Sequence, residues 1–280
     1  MTTVSPLAET KPKPEIIIAP FAAEHIAGAL RLSQEAGWPH RAQDWQMVLS
    51  VSEGVVAQAD GEVVGTALCT CFGDVASVNM IIVDARMRGR GLGRRLMERV
   101  MELGGARELR LTATADGLPL YEKLGFTAVA QIVQHQGTAL AALSALPVEV
   151  GAKADIDRLA AMDTAASGME RSQLLAAMAG QGQVLSTDRG FAILRPFGRG
   201  EVLGPIVAQD LETARALMSA AAIQCAGRFL RIDLPDPALV SHAESLGLAH
   251  VGGGTAMTKA DRPVEPSEFK TYALASQALG

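Results

Sequence analysis

Residues 83–97, Val-Asp-Ala-Arg-Met-Arg-Gly-Arg-Gly-Leu-Gly-Arg-Arg-Leu-Met, set Arg86, Arg88, Arg90, Arg94 and Arg95 around Gly89, Gly91 and Gly93. Such a run can hold a phosphate. Residues 79–83 read as a buried strand entering it, and Leu92, Leu96, Val100 and Leu103 recur at helical spacing after it. The first turn of a helix leaves N–H groups without partners and carries the positive end of the helix dipole, so a diphosphate there is held by backbone and charge together. Glycines let that backbone come close. Two common phosphate motifs do not fit. A Walker A loop ends Gly-Lys-Ser/Thr, but Gly93 is followed by Arg94, and the dinucleotide spacing Gly-x-Gly-x-x-Gly is not that of Gly89, Gly91 and Gly93.

A second group capable of chemistry follows one strand later. Residues 109–113 read as that strand and 119–124 as a short helix containing Tyr121. Gly125 suits the left-handed cap, and Phe126 begins the next strand. Upstream, residues 15–19 read as a strand, and 21–36 and 42–50 as helices separated by Gly37-Trp38-Pro39-His40. Residues 55–59 and 63–71 form a hairpin around Asp60-Gly61, and 75–83 a further strand.

The hexapeptide Arg88-Gly89-Arg90-Gly91-Leu92-Gly93 and the segment Leu120-Tyr121-Glu122-Lys123-Leu124-Gly125-Phe126 resemble, in order, two signatures of the GNAT N-acetyltransferase superfamily. The resemblance covers about residues 15–136. It implies an α/β (α+β) domain with a mixed, mostly antiparallel central sheet flanked by helices and splayed at its fourth strand. It implies acetyl-CoA as co-substrate and no metal, with Arg88, Gly89, Arg90, Gly91, Leu92, Gly93 and Arg94 around the pyrophosphate. Ile81, Ile82 and Val83 would pair with the pantetheine arm, and Thr114 stands where many relatives carry Asn. Tyr121 falls where the family's tyrosine protonates the departing thiolate, as a phenol that keeps its proton at pH 7 can do.

The implied activity is acyl transfer, moving an acetyl group directly to a primary amine in a ternary complex, with the oxyanion held by backbone N–H groups around Val83. For the base, Asp44, His40 and Asp116 are candidates in that order. Trp38, His40 and Trp45 fall on the family's acceptor side and suit a small-molecule amine or amino-acid derivative. Two other functions stay open. One is an acyl-CoA sensor without turnover, which would need the loop and not Tyr121; the other is a protein or peptide N-acetyltransferase.

The chain has 280 residues, 49% of them hydrophobic, enough for two domains. A net charge of −5 argues against a nucleic-acid partner, and the local arginine cluster, which extends to Arg99, is assigned to CoA. Cys69, Cys71 and Cys225 make neither a disulfide framework nor a metal site, which suits buried thiols in a cytoplasmic protein. No run of about 18 uncharged apolar residues occurs, so no membrane span is expected. Residues 1–14 read as a disordered leader, 15–146 as the catalytic domain, 147–260 as a second domain and 261–280 as a tail.

The second domain repeats the alternation of the first as a diverged copy. Ile206-Val207 echoes Ile82-Val83, and residues 243–248 echo 121–126. Gln209-Asp210-Leu211-Glu212 has replaced the glycine loop, however, and Ala243 has replaced the tyrosine, so a single active site is expected in the N-terminal half. The tail, with Pro263, Pro266 and the apolar residues 272–275, would dock on the body or on a second subunit, which leaves a homodimer open.

Overall fold

A computed structural model describes residues 15–151, 155–260 and 266–280. The leader expected over residues 1–14 lies outside these, as do Arg262 and Pro263. The N-terminal half runs β1 (Ile16–Pro20), α1 (Ile26–Glu35), α2 (Ala42–Ser50), β2 (Glu53–Ala59), β3 (Glu62–Phe72), β4 (Val75–Val83), α3 (Leu92–Gly104), β5 (Glu108–Ala113), α4 (Leu118–Lys123) and β6 (Thr127–Thr138). The C-terminal half repeats that order with β7 (Glu149–Gly151), α5 (Ile156–Ser167), α6 (Ser172–Gln181), β8 (Gln183–Thr187), β9 (Gly190–Phe197), β10 (Gly200–Ala208), α7 (Leu211–Gln224), β11 (Phe229–Leu234), α8 (Val240–Ser245) and β12 (Ala249–Lys259). A further strand, β13 (Lys270–Ala273), lies in the tail.

All the strands join one sheet in the order β1-β2-β3-β4-β5-β12-β6-β11-β10-β9-β8-β7, with β13 on β10. It is mostly antiparallel; β4–β5 and β10–β11 are its parallel pairs. The repeat of elements begins again at β7, but the sheet is continuous. β12 pairs with β5, and β6 pairs with β11, so each half lends its last long strand to the other. One buried cluster also draws on both halves, bringing Trp45, Phe72 and Met80 together with Leu174, Met178 and Phe191.

The helices follow from their apolar stripes. In α3, Leu92, Leu96, Met97 and Val100 are at most 1% exposed, each contributing about 1.5–3 kcal/mol through burial. Leu103, expected on that stripe, is 37% exposed, and Met97 takes the inner place. In the sheet, β4 pairs with β5 only over Val75–Ser77 and then leaves it, so residues 78–83 have no strand on that side among the described residues. A bulge accompanies the departure. The β3–β4 register shifts between Thr66 and Leu68, Met80 takes the left-handed φ of +51°, and Thr66 Oγ1 donates to the Met80 carbonyl at 2.7 Å. The expected splay at the fourth strand is therefore present.

Candidate functional site

The splay opens into a groove of about 820 Å³ between the end of β4, the start of α3 and the loop before α4. Its walls include Ile81, Ile82, Val83, Arg88, Gly89, Gly91, Leu92, Gly93 and Arg94. Gly89 and Gly91 have φ of +75° and +71°, and Gly91 caps the helix from that left-handed conformation. Nothing lies within 4 Å of where a Cβ would sit at either, so the glycines are required by backbone conformation and not by space. Among the described residues, the N–H groups of Gly89 to Gly93 take no backbone or side-chain partner. Five donors thus lie where the helix dipole is positive, an arrangement that fits a diphosphate.

The arginines divide. Arg88, Arg94 and Arg95 stand at the groove end of α3, with Arg88 3.5 Å from Asp116 across the mouth and Arg94 3.2 Å from Glu98. Arg86 is engaged elsewhere, by Asp84 and Glu62, and Arg99 by Glu102, so these two leave the expected CoA cluster. Arg90 is exposed and is not part of the groove wall.

A second cavity, of about 370 Å³, lies beyond the groove, and the two share Trp38, Ile81, Thr114 and Tyr121 as a common wall. Tyr121 sits on α4 with its ring packed edge-on against Phe126, centroids 6.2 Å apart. Its hydroxyl takes no hydrogen bond among the described residues, and burial pushes its pKa up to about 12. It is therefore a held proton facing no internal acceptor. Thr114 Oγ1 accepts from the Gly117 N–H at 3.2 Å, so it braces the turn into α4.

His40 also lines this cavity, edge-on to Trp38 and Phe197 at 5.7 and 5.4 Å, and its buried Nδ1 has no partner among the described residues. Burial, with Arg231 and Arg195 nearby, pulls its pKa down to about 4 despite Asp44, so the ring is neutral at pH 7. The other expected bases are placed differently. Asp44 is 2% exposed and lines neither cavity; it accepts from the Arg41 N–H at 2.8 Å, from the Arg41 guanidinium, and from the Gly198 N–H at 3.2 Å. Despite burial, these donors hold its carboxyl below the usual range. Asp116 is 80% exposed at the groove mouth, opposite Arg88. Trp45, expected beside the acceptor, is wholly buried, stacked on Phe21 and donating Nε1–H to Ser33 Oγ at 3.0 Å. It supports α1 and α2, and Trp38 alone of the pair reaches the cavity.

The remaining cavity wall comes from parts of the chain that carry no recognisable motif. β6 brings Gln134 and Gln136, the second half brings Phe197, Arg199 and Arg231, and the tail brings Ser276, Gln277 and Ala278. The tail docks on the body. In the second half β10 leaves β11 after Leu203, as β4 leaves β5, and β13 enters that opening beside Ile206, Val207 and Ala208. Leu274 N–H then donates to the Asp233 carbonyl at 2.9 Å, and Ser77 Oγ on β4 donates to the Ala278 carbonyl at 2.8 Å. The start of α7 is also closed to an anion: the Asp210 carboxylate accepts from Thr213 N–H at 2.7 Å and pairs with Arg189. Among the described residues, no group of three His, Cys, Asp or Glu side chains is placed to hold a metal, and no helix is long and apolar enough to cross a membrane.

Comparison with known proteins agrees with this architecture. Residues 50–128 and residues 159–273 each match a family model described as an acetyltransferase (GNAT) domain. The uncharacterized N-acetyltransferase YitH of Bacillus subtilis (strain 168) is 28% identical over 276 residues, covering 92% of this chain and 96% of that protein. A solved Pyrococcus horikoshii protein, itself only provisionally described as an acetyltransferase, superposes with a TM-score of 0.84 at 20% identity, over 98% of this chain and 99% of that one. A tandem GNAT protein from the clavulanic acid biosynthesis pathway superposes with a TM-score of 0.62 at 15% identity, over 90% of this chain and all of that one. With two such domains joined through one sheet, the chain is a tandem GNAT-type protein, an acyltransferase of the GNAT N-acetyltransferase superfamily.

Proposed function

We propose that the chain moves an acetyl group from acetyl-CoA directly to a primary amine of a small molecule, with the groove as donor site and the cavity as acceptor site. The observation that carries this reading is the wall shared by groove and cavity, in which Tyr121 holds a proton and has no internal acceptor. When bound, acetyl-CoA supplies the activated acyl group. The N–H groups of Gly89 to Gly93, with Arg88 and Arg94, hold its pyrophosphate, and the unpaired edge of β4 over Ile81, Ile82 and Val83 orients the arm. Backbone N–H groups around Val83 stabilise the oxyanion, and Tyr121 gives its proton to the departing thiolate.

For the amine proton, the cavity favours His40 over Asp44 and Asp116. His40 is neutral and lines the cavity. Its low basicity makes it a relay that passes the proton on to solvent through the cavity, not a group that retains it. A cavity of about 370 Å³ is of small-molecule size, which favours a small amine over a peptide.

Calorimetric titration with acetyl-CoA, CoA and propionyl-CoA tests the donor site. Micromolar binding is expected, abolished in the double variant Arg88→Ala, Gly91→Ala; no binding of any thioester would overturn the reading. Tyr121→Phe then separates enzyme from sensor. A catalyst loses thiol release and keeps its affinity, whereas a sensor loses neither.

A further inference from the structure

The acceptor cavity has a charge pattern that narrows its occupant. Among the described residues, two guanidinium groups, Arg199 and Arg231, line it, and no carboxylate does. Beneath the same wall lies Arg195, 1% exposed, whose Nε and Nη1 have no partner among the described residues and whose Nη2 donates to the Ala275 carbonyl at 3.2 Å. Burial draws the Arg195 pKa down to about 10, as expected for a cation short of counter-charge.

The nearby carboxylates are already committed. Asp233, fully buried, accepts from Arg231 Nε at 3.1 Å and Nη2 at 2.9 Å and from Gln277 Nε2 at 2.8 Å. Asp44 is committed to Arg41 and the Gly198 N–H. Four arginines (41, 195, 199 and 231) therefore face two acids (44 and 233), leaving the wall two positive charges in excess.

The geometry is also fixed in advance. The guanidinium carbons of Arg195 and Arg231 each lie over the Phe197 ring, 5.3 Å from its centroid. Asp233 holds Arg231 by Nε and Nη2, leaving Nη1 uncommitted, while Arg199 is exposed and makes no ion pair among the described residues. Across the cavity, on β4, Asn79 gives its amide N–H to Thr70 and Ser77, and its Oδ1 takes no hydrogen bond. A wall with more guanidinium groups than carboxylates, one of them oriented by Asp233, favours an anionic ligand and disfavours a plain cationic amine.

We infer that the acceptor amine carries an acidic group, which Arg231 and Arg199 hold on the wall supplied by the second half while its nitrogen lies toward Asn79, His40 and Tyr121. This rests on the transfer reading above and adds the class of acceptor to it: an amino acid or another amine with a carboxylate or phosphate. It also gives the second half, which has lost its own glycine loop and tyrosine, a role in recognition.

The test is an acceptor panel at fixed acetyl-CoA, read by thiol release. Amino acids are set against their carboxamides and their decarboxylated amines, with aminoalkyl phosphates as a separate arm that distinguishes the two acids. The acid is expected to exceed its carboxamide in kcat/KM by about tenfold or more, and the ratio is expected to fall toward one in Arg199→Ala and Arg231→Lys. Carboxamides or plain amines used as well as the acids, or a preference that survives both substitutions, would overturn the inference. A binding arm keeps it separate from the transfer reading. N-acetylated amino acids should raise the Tm of the wild type and of Tyr121→Phe, and not that of Arg231→Lys. Binding of this kind without thiol release from any amine would leave the acid site standing and refute transfer. Thiol release with neutral amines alone, and no such binding, would do the reverse.

Discussion

Gly117 has φ of −82° and ψ of −29°, a conformation open to any residue, yet a Cβ there would lie 2.8 Å from Tyr121 Cε2 and 3.3 Å from its hydroxyl oxygen. Glycine at this position serves the tyrosine ring and not the backbone. Gly117→Ala should displace the phenol and lower kcat by about tenfold or more, because small misplacements of a proton donor are costly, while acetyl-CoA affinity changes by less than about threefold. Thiol release and calorimetry on the same variant check both halves of this statement. His40 gives a second prediction. Its folded pKa of about 4 lies below the usual 6.5, so the unfolded chain binds more protons between those values and stability falls as pH drops through that window. The slope contributed by this residue approaches about 1.4 kcal/mol per pH unit, and urea unfolding from pH 7.5 to 4.5 should show it flattened in His40→Gln. Such distinctions are invisible in sequence. Trp38 and Trp45 are seven apart and look equivalent, but the chain turns at Pro39 and His40, so one tryptophan enters the cavity and the other enters the core. For Asp44, one of the donors that engage it, the Gly198 N–H, is 154 residues away and so is equally invisible.

Elements whose signals are local were legible. The start of α3 at Leu92 follows from Gly91, and the stripe Leu92, Leu96, Val100 follows from helical periodicity. Strand order was not legible, because an alternating strand carries no mark of which neighbour it pairs with, and nothing in residues 127–138 tells β6 to leave β5 for β11. The exchange has a chemical marker at its centre: His135 on β6 is the register partner of His250 on β12, with ring centroids 5.5 Å apart. Burial first, and then the charge of His250, lower the His135 pKa. Proton uptake is therefore disfavoured in the paired strands, and their stability falls as pH drops below about 6.5. Hydrogen-exchange protection factors of the amides in β6 and β12 should decrease from pH 7.5 to 5.5 more than those in β2 and β3. His135→Phe should remove that difference; equal losses in all four strands would refute it.

At the scale of the whole molecule, the two halves use the same opening in their sheets for different ends. Beyond Ser77 the gap between β4 and β5 stays open as the groove, whereas beyond Leu203 the gap between β10 and β11 receives β13 from the tail. The tail then passes Arg195, Gln134 and Asp233 and ends against β4 of the first half, with Arg171 donating to the Leu279 and Gly280 carbonyls while its guanidinium is clamped by Asp163. It fills the opening in the second half and supplies part of the cavity wall. Gly204 makes this possible, since a Cβ there would lie 1.9 Å from the Leu274 carbonyl oxygen. Gly204→Ala should therefore lift residues 270–280 off β10. The tail should become susceptible to limited proteolysis, and KM for the acceptor should rise severalfold because Ser276, Gln277 and Ala278 leave the cavity. Acetyl-CoA affinity should stay within about twofold, because no tail residue lines the groove. A chain stopped after residue 266 should reproduce the same separation, with acceptor KM changed and donor affinity kept. If both variants lose donor affinity as well, the tail is holding the entire sheet together and not only the acceptor wall.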